Sequence, residues 1–245
     1  MARKGGKKHL KRLATPRVVK IKRKEGKKRF FINPDPGPHP KNRCIPLGAV
    51  IRDYLGYAKT LREAKKILNL GYVLVDNKIR KDYKFPVGLM DVLSIPKVKE
   101  YYRVTLDDKN RLILIPIEKE ETKFKICRVI KKTYNKGKKI QITLHDGRNF
   151  LFDEKEGNKI KIGDSLLINT VNNKVEKNLK FKTGNTVFII GGRNVGKIGR
   201  IASDVIRRGV RDKIVLVETE GKKIEVPFEY LLVVGEDKPL LTIRK

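Results

Sequence analysis

Residues 60–75 read TLREAKKILNLGYVLV, the clearest passage from helix to strand in the chain. Thr60 and Glu63 have the spacing of a capping box, in which each side chain accepts a hydrogen bond from the other residue's backbone N–H. Apolar residues then recur on one side of a helix, at Leu61, Ala64, Ile67 and Leu68. Gly71 suits the position just beyond a helix end. The pattern predicts a helix from residue 61 that stops at Gly71 and leads into a strand over 72–75.

The opposite face of this helix is basic. Arg62, Lys65 and Lys66 follow i, i+3 and i+4 spacing, so their side chains are neighbours on the helix surface. Because all three carry the same sign of charge and lie away from the apolar stripe, we expect them to contact a polyanion.

Short elements flank this helix on both sides. Upstream, Pro46 is placed for a first helical turn and Gly56 for a helix end. One apolar stripe lies between them, at Leu47, Val50, Ile51, Tyr54 and Leu55. Downstream, we predict short strands at 72–75, 78–79 and 91–95, with a turn at Asp76-Asn77.

Composition points to the same kind of partner. The chain has 245 residues with 59 Lys+Arg and 27 Asp+Glu, a formal net charge of +32. Such a charge opposes compaction and favours a partner that is itself a dense polyanion, of which nucleic acid is the obvious candidate. No apolar run approaches the roughly 20 residues that cross a bilayer, and the N-terminus lacks the apolar core of a secretory signal. We therefore expect a soluble, cytoplasmic protein with no membrane partner.

The first thirty residues carry fourteen Lys/Arg against Glu25 alone. Such a block repels itself and lacks apolar periodicity, so we expect residues 1–30 to be disordered in the free protein and to order against phosphate. A nuclear-import signal and a solvated tail are the alternatives for this segment. A stiff linker follows, with four prolines within residues 33–40. His39 lies in that linker, where we expect solvent exposure or an RNA contact.

From Tyr101 onward the sequence predicts small β-sheets and no helix. Apolar runs alternate with turn signals at 108–110, 135–137, 146–147 and 220–221. The strand candidates are 112–115, 124–130, 140–144, 150–152, 166–168, 187–190, 214–217 and 224–226. Small β-barrels are the economical architecture for such a pattern, with a boundary near 172–178.

No residue grouping supports catalysis, a cofactor or a metal. His145-Asp146-Gly147 pairs a histidine with a carboxylate, but neighbours on a tight turn point in different directions, so a hairpin turn explains the tripeptide. Cys44 and Cys127 are far apart in sequence and are expected to be buried small hydrophobes.

Residues 191–197 read GGRNVGK and fit the phosphate-binding pattern GxxxxGK. The next residue is Ile198 where a magnesium-binding Ser/Thr should stand, and 198–201 alternates like a strand, so the helix that completes a nucleotide site is missing. The glycines and alternating apolar residues instead resemble the KOW motif, which implies a five-stranded SH3-like barrel. Its loop would present Arg193, Asn194 and Lys197 to RNA or to a protein.

Taken in order, these segments resemble the archaeal and eukaryotic small-subunit ribosomal protein family S4e over nearly the whole chain. The resemblance is carried by KKHLKR at 7–12, PGPH at 36–39, IPL at 45–47, PVGLMDVLSI at 86–95, TGN at 183–185 and GGRNVGKIG at 191–199. Residues 44–105 also resemble the αL-type RNA-binding domain of ribosomal protein S4 relatives. The chain ends soon after Gly235 without the longer tail of eukaryotic members, which suggests an archaeal protein.

The resemblance implies a multi-domain α+β chain. Its expected parts are a basic extended N-terminal arm with the linker (1–42), a small αL-type domain (43–105), a central β domain (106–174), an SH3-like KOW barrel (175–235) and a C-terminal tail (236–245). The expected partners are small-subunit ribosomal RNA and neighbouring ribosomal proteins, with no small-molecule substrate.

The expected RNA contacts fall into three groups. Those of the arm and linker are Arg3, Lys4, Lys7, Lys8, Lys11, Arg12, Lys22, Arg23, Lys27, Lys28, Arg29 and His39. The αL domain implies Arg62, Lys65, Lys66, Lys78 and Arg80, and the KOW loop implies Arg193, Asn194 and Lys197. Two other functions remain open at this point, an accessory chain of an RNA-modifying enzyme and a KOW-type transcription or translation factor.

Overall fold

The computed structural model describes residues 9–24, 29–137, 139–203, 205–208, 212–219 and 221–244. Within these ranges the chain is mostly antiparallel β-sheet, with short helical segments. Each of the three larger sheets is formed by strands that lie in one stretch of the sequence.

The N-terminal segment packs on the body of the protein. Strands β1 (Leu10–Lys11) and β2 (Phe30–Phe31) pair antiparallel. Val19 is 3% exposed and forms a parallel bridge with Leu112. The prediction that residues 1–30 are disordered is therefore wrong for 9–24, because Leu10 and Val19 of this segment are buried in the core. Residues 1–8 and 25–28 lie outside the described ranges.

The next unit contains two helical segments and seven strands. The strands are β3 (Cys44–Pro46), β4 (Leu74–Val75), β5 (Lys78–Ile79), β6 (Pro86–Gly88), β7 (Val92–Ile95), β8 (Glu100–Leu106) and β9 (Leu112–Pro116). Helix α1 (Leu47–Ala49) continues as a π-helical turn (Val50–Tyr54), and α2 (Leu61–Asn69) follows. Five strands form a sheet in the order β5-β4-β7-β8-β9, while β3 pairs with β6.

The predicted helix signals of this unit are confirmed. Both hydrogen bonds of the Thr60–Glu63 capping box are present, and Gly56 and Gly71 follow the two helices with φ of 74° and 75°. Pro46 is the exception, since it ends β3 in an extended conformation just before α1 and is not in the first helical turn as predicted. At the predicted turn, Asp76 and Asn77 both have positive φ, as a two-residue hairpin requires.

The central sheet has five strands in the order β12-β11-β10-β13-β14. Its elements are β10 (Phe124–Asn135), β11 (Lys139–Leu144), β12 (Asn149–Asp153), α3 (Glu154–Asn158), β13 (Ser165–Asn169) and β14 (Lys174–Leu179). Two features differ from the expectation. α3 is a helix of five residues without apolar periodicity, and β14 is a polar strand that pairs with β13, so the expected boundary at residue 175 falls inside a strand.

The last sheet contains β15 (Thr186–Ile189), β16 (Ile198–Ile201), β17 (Ile206–Arg208), β18 (Asp212–Thr219), β19 (Lys222–Pro227) and β20 (Leu231–Gly235). The strand order is β17-β18-β16-β15-β20, with β19 on β18. The strand β16 directly follows the GGRNVGK loop. The GxxxxGK pattern therefore joins two strands and lacks the helix of a nucleotide site.

Two apolar cores hold these units together. One is continuous from the N-terminal segment through the helical unit to the last sheet, and includes Val19, Ile51, Leu68 and Val187. The other belongs to the central sheet and includes Cys127 and Ile142. Since one core spans units far apart in sequence, burial of apolar surface stabilises their relative placement as well as each unit.

Candidate nucleic-acid interface

The basic face of α2 lies where its sequence places it. Ala64 and Leu68 are completely buried, whereas Arg62, Lys65 and Lys66 are exposed. The capping box fixes the start of the helix, since the backbone N–H of Glu63 donates to the Thr60 hydroxyl over 3.2 Å. The three cations thus stand on a short, well-anchored helix.

Aromatic side chains in the 83–85 loop lie beside two of the predicted cations. The ammonium group of Lys65 lies 4.2 Å from the centre of the Tyr83 ring, and the guanidinium group of Arg80 lies 4.4 Å from the centre of the Phe85 ring. Cation–π contacts of this kind hold a long basic side chain in place without neutralising it. Arg80 is half-buried, and its Nε has no hydrogen-bond partner among the described residues.

The β4–β5 hairpin lies beside the end of α2. A Cβ on Gly71 would lie 3.5 Å from the Ile79 side chain, and Lys78 is exposed on β5. The structure therefore brings the basic helix face, the hairpin and the aromatic loop together. We call this surface, comprising Arg62, Lys65, Lys66, Lys78 and Arg80 with the rings of Tyr83 and Phe85, the α2 face.

The N-terminal residues divide into exposed and structural cations. Lys11, Lys22 and Arg29 are exposed. Arg12 is 5% exposed and its Nε donates to the Lys22 carbonyl over 2.7 Å, while Arg23 donates to three backbone carbonyls of residues 13–16. These two guanidinium groups fold the segment on itself, so they differ from the freely presented cations that the charge count predicts. The predicted contacts Arg3, Lys4, Lys7, Lys8, Lys27 and Lys28 lie outside the described residues.

The loop between β15 and β16 presents its residues unequally. Arg193 is exposed, whereas Asn194 and Lys197 are half-buried. Gly196 has a φ of 83°, and a Cβ there would lie 2.9 Å from the backbone of Asp107. The loop therefore packs on the β8–β9 turn, and Arg193 is its most accessible cation.

His39 is not at the surface as the linker composition predicts. Its side chain is 3% exposed and its Nε2 lies 3.0 Å from the Asp91 carboxylate. A Cβ on Gly88 would overlap the His39 ring, so the imidazole packs directly on glycine backbone. The linker is stiff, yet it turns this ring inward because a buried carboxylate is available to bind it.

Sequence reasoning missed a buried cluster of charges that includes Asp91. The Lys125 ammonium group lies 2.8 Å from Asp76, 2.5 Å from Asp91 and 3.1 Å from Asp146. Arg148 binds Asp76 and Asp146 over 2.6 and 3.1 Å. Burial alone would lower the pKa of Lys125, but the carboxylates outweigh it and raise the pKa well above its ordinary value. The cluster joins the β4–β5 turn and the loop before β7 to the central sheet.

His145 lies beside this cluster in the predicted tight turn, where Gly147 has a φ of 78°. Its Nδ1 accepts from the Arg128 backbone N–H over 3.1 Å, and its Nε2 lies 3.3 Å from the Leu89 carbonyl oxygen. Burial lowers the pKa of His145 to about 4, so the ring is neutral at pH 7. Both nitrogens are thus used for structure.

The two cysteines are buried, as predicted. Burial raises the pKa of Cys44 to about 12, with Asp91 adding to the effect. Such a thiol is a small apolar group at neutral pH. No group of three potential metal ligands occurs among the described residues, and no helix within them is long and apolar enough to cross a membrane.

Three family models match the chain in succession. They are the RS4NT (NUC023) domain over residues 4–42, the S4 domain over 50–93 and Ribosomal family S4e over 98–175. Curated relatives named small ribosomal subunit protein eS4 match from end to end. The protein of Methanocaldococcus jannaschii is 41% identical and that of Staphylothermus marinus 43%, each covering 99% of this chain and at least 98% of the relative.

The chain belongs to the ribosomal protein S4e family. Another S4e relative, from Methanopyrus kandleri, is 40% identical over 100% of this chain. The crystal structure of the 30S ribosomal protein S4e of Thermoplasma acidophilum has a TM-score of 0.68 and 33% identity, and the match covers 80% of this chain and 97% of that chain. These relatives are archaeal.

The S4e matches fall on the units described above. The S4 domain match contains α2, the β4–β5 hairpin and the aromatic loop, and hence the α2 face. The S4e model extends over most of the central sheet, and the RS4NT match contains the N-terminal segment with His39. Lys125 therefore lies in the S4e-matched part, whereas two of its carboxylate partners lie in the S4 domain match.

Proposed function

We propose that this S4e chain is a structural constituent of the small ribosomal subunit that binds ribosomal RNA and supports subunit assembly and translation in the cytoplasmic ribosome. The observation that carries the proposal is the end-to-end similarity, at 40–43% identity, to relatives named small ribosomal subunit protein eS4. The formal net charge of +32 supports an RNA partner, since phosphate is the dense polyanion that such a chain would neutralise.

The α2 face is the proposed centre of RNA binding. Its five cations are presented by a helix, a strand and a loop that pack on one apolar core, so their spacing is fixed before RNA arrives. Tyr83 and Phe85 contact the charged groups of Lys65 and Arg80 through cation–π interactions. Such a surface recognises phosphate positions and helix shape rather than base sequence.

Further contacts are proposed for the exposed cations of the N-terminal segment and for Arg193, with Asn194 and Lys197 behind it. We also propose that the last sheet is the KOW-type SH3-like barrel, which the glycine-permitted loop between β15 and β16 supports. The division into arm and linker, αL-type domain, central β domain, barrel and tail stands as part of this proposal. Neighbouring ribosomal proteins are the proposed protein partners.

The proposed role needs no turnover, cofactor or small-molecule substrate. His145 and Asp146, the histidine–carboxylate neighbours of the sequence, are both bonded within the fold, since His145 binds Arg128 and Leu89 and Asp146 binds Lys125. We therefore propose that the chain is not an enzyme.

The decisive experiment measures binding of transcribed small-subunit ribosomal RNA across a range of salt concentrations. If about ten phosphates are neutralised, log K falls by roughly 7 to 9 per tenfold increase in salt. The variant Arg62→Ala/Lys65→Ala/Lys66→Ala should reduce this slope by about 2 to 3 and weaken binding at least tenfold. The matched control, Lys109→Ala/Lys155→Ala/Lys222→Ala, removes the same charge from exposed positions elsewhere.

The control variant should lose less than threefold in affinity. Equal losses in both triple variants would show that net charge, rather than the α2 face, determines binding. If the affinity of the wild-type protein for the RNA does not change with salt concentration, the phosphate mechanism is contradicted.

A further inference from the structure

A cleft lies where the 41–43 turn, the central sheet and the last sheet meet. Two adjacent cavities of 410 and 1000 Å³ share the residues Arg43, Arg128, Ile130, Glu229 and Tyr230 along their walls. We call their combined space the three-way cleft. The volume of each of the two cavities lies within the range of ordinary ligand sites.

Arg128 is a buried cation that lines both cavities of this cleft. The residue is 8% exposed, and its Nη2 donates to the Phe228 carbonyl over 3.0 Å, with the guanidinium carbon 5.1 Å from the Phe228 ring centre. Its Nε has no hydrogen-bond partner, and no carboxylate of the described residues forms an ion pair with it. Burial lowers the pKa of Arg128, and the negative charge of Glu229 in the same cleft opposes this effect without forming an ion pair. A buried, unpaired guanidinium is unfavourable in the free protein and suits an anion that arrives from outside.

The electrostatics of the three-way cleft favour such an anion. Arg43 and Lys213 are exposed along its wall and add to the charge of Arg128. Glu229 is the one carboxylate among the described lining residues, and it is exposed. The cleft therefore carries a net positive charge, and its guanidinium groups can form charge-assisted hydrogen bonds to phosphate, which are stronger than bonds between neutral groups.

An apolar wall stands beside these cations. Ile130 and Ile162 are 50% and 51% exposed, and the half-buried Tyr230 lines the same cleft. A Cβ on Gly191 would lie 2.7 Å from Cδ1 of Tyr230, so only glycine lets the loop backbone approach the ring. An aromatic ring next to arginines offers a stacking surface for a base together with donors for its phosphate.

We propose that the three-way cleft binds one unpaired nucleotide of ribosomal RNA, with its phosphate at Arg43 and Arg128 and its base against Tyr230 and Ile130. This contact rests on the proposed RNA-binding function and adds to it a second site that recognises a single-stranded residue. An acidic protein segment would satisfy the arginines but would make no use of the half-buried Tyr230 ring and the exposed isoleucines.

The test uses full-length protein and small-subunit ribosomal RNA transcribed with 4-thiouridine, followed by photocrosslinking and peptide mapping. Wild-type protein should crosslink in the peptide that contains Tyr230. Arg43→Glu should reduce that crosslink at least fivefold, Tyr230→Ala should reduce it similarly, and Tyr230→Phe should retain it because the phenyl ring still stacks. The control Lys155→Glu, exposed and outside the cleft, should stay within twofold of wild type.

Arg128→Met gives a second readout. It removes a buried charge that has no ion-pair partner, together with one hydrogen bond to the Phe228 carbonyl, so the melting temperature of the free protein should fall by no more than about 4 °C while its crosslink falls at least fivefold. Normal overall RNA binding without any crosslink at Tyr230 would overturn the cleft site and leave the α2 face intact. Absence of saturable RNA binding would overturn both. Protection of the cleft from hydrogen exchange by ribosomal proteins, but not by RNA, would overturn the nucleotide proposal in favour of a protein partner.

Discussion

The ammonium nitrogen of Lys125 lies 2.5 Å from a carboxylate oxygen of Asp91, and neither side chain is more than 2% exposed. Asp91 precedes β7 in the S4 domain match, and Lys125 is the second residue of β10 in the central sheet. Two further carboxylates, from Asp76 and Asp146, bind the same ammonium group. This one cation therefore links two units of the chain, in addition to the apolar core that they share.

Lys125→Met should destabilise the protein by about 3 to 5 kcal/mol, because it leaves buried carboxylates without their shared cation. Denaturant titration measures the change in the free energy of unfolding. Lys123→Met, two residues earlier and exposed, is the matched control and should change it by less than about 0.5 kcal/mol. A loss below about 1 kcal/mol for Lys125→Met would show that Arg148 alone balances the cluster.

Acid should weaken the fold through His145. Its pKa is about 4 in the folded protein and 6.5 in the reference state, so the unfolded chain binds the proton more readily. Stability due to the neutral ring is complete above pH 6.5 and is lost as the pH falls toward 4, by about 2 to 3 kcal/mol. His145→Gln cannot titrate, so the difference in unfolding free energy between wild type and variant should shrink over this pH range. A constant difference from pH 7 to pH 4 would contradict the assignment.

The Thr60 hydroxyl should stabilise the start of helix α2. Thr60→Ala removes the hydroxyl that accepts from the Glu63 N–H and should cost about 1 kcal/mol. Thr60→Ser keeps an acceptor at the same place and should cost markedly less. If both variants lose the same free energy of unfolding, the methyl group rather than the hydrogen bond stabilises this position.

Gly88→Ala should destabilise the protein through His39. The added methyl group would overlap the His39 ring, and the shift needed to relieve this overlap costs about 1 to 3 kcal/mol. In a His39→Ala background the same substitution should cost much less, because the ring is gone. A double-mutant cycle of unfolding free energies measures this coupling, and additive costs would show that the two residues are independent.

Local signals in the sequence predicted most of the secondary structure. These signals depend on neighbours within a few residues. They are the capping box at Thr60 and Glu63, the turn at Asp76-Asn77 and the alternating apolar runs of the second half. For that reason eight predicted strands in the second half coincide with observed ones. The polar strand β14 and the helix α3 carry no apolar period, so nothing in their own sequence indicated them.

The α2 face could be predicted as a helix surface, but its aromatic partners could not. Tyr83 is eighteen residues from Lys65, and only the folded chain brings the two together. The same reason explains His39, whose partner Asp91 lies 52 residues away. Arg12 and Lys125 show the limit of charge counting. In the sequence, a buried cation cannot be distinguished from an exposed one until its carbonyl or carboxylate partner is known.

The Lys125 cluster also bears on how the protein holds its RNA. Its anions come from the turn that follows β4, the residue before β7 and the turn between β11 and β12, and His39 of the linker binds the same Asp91. This joint, the Lys125 cluster, links the unit that carries the α2 face to the central sheet, which forms one wall of the three-way cleft. The chain would then act as a rigid spacer between two RNA segments, and loosening the joint should disturb subunit assembly even where each RNA contact stays intact.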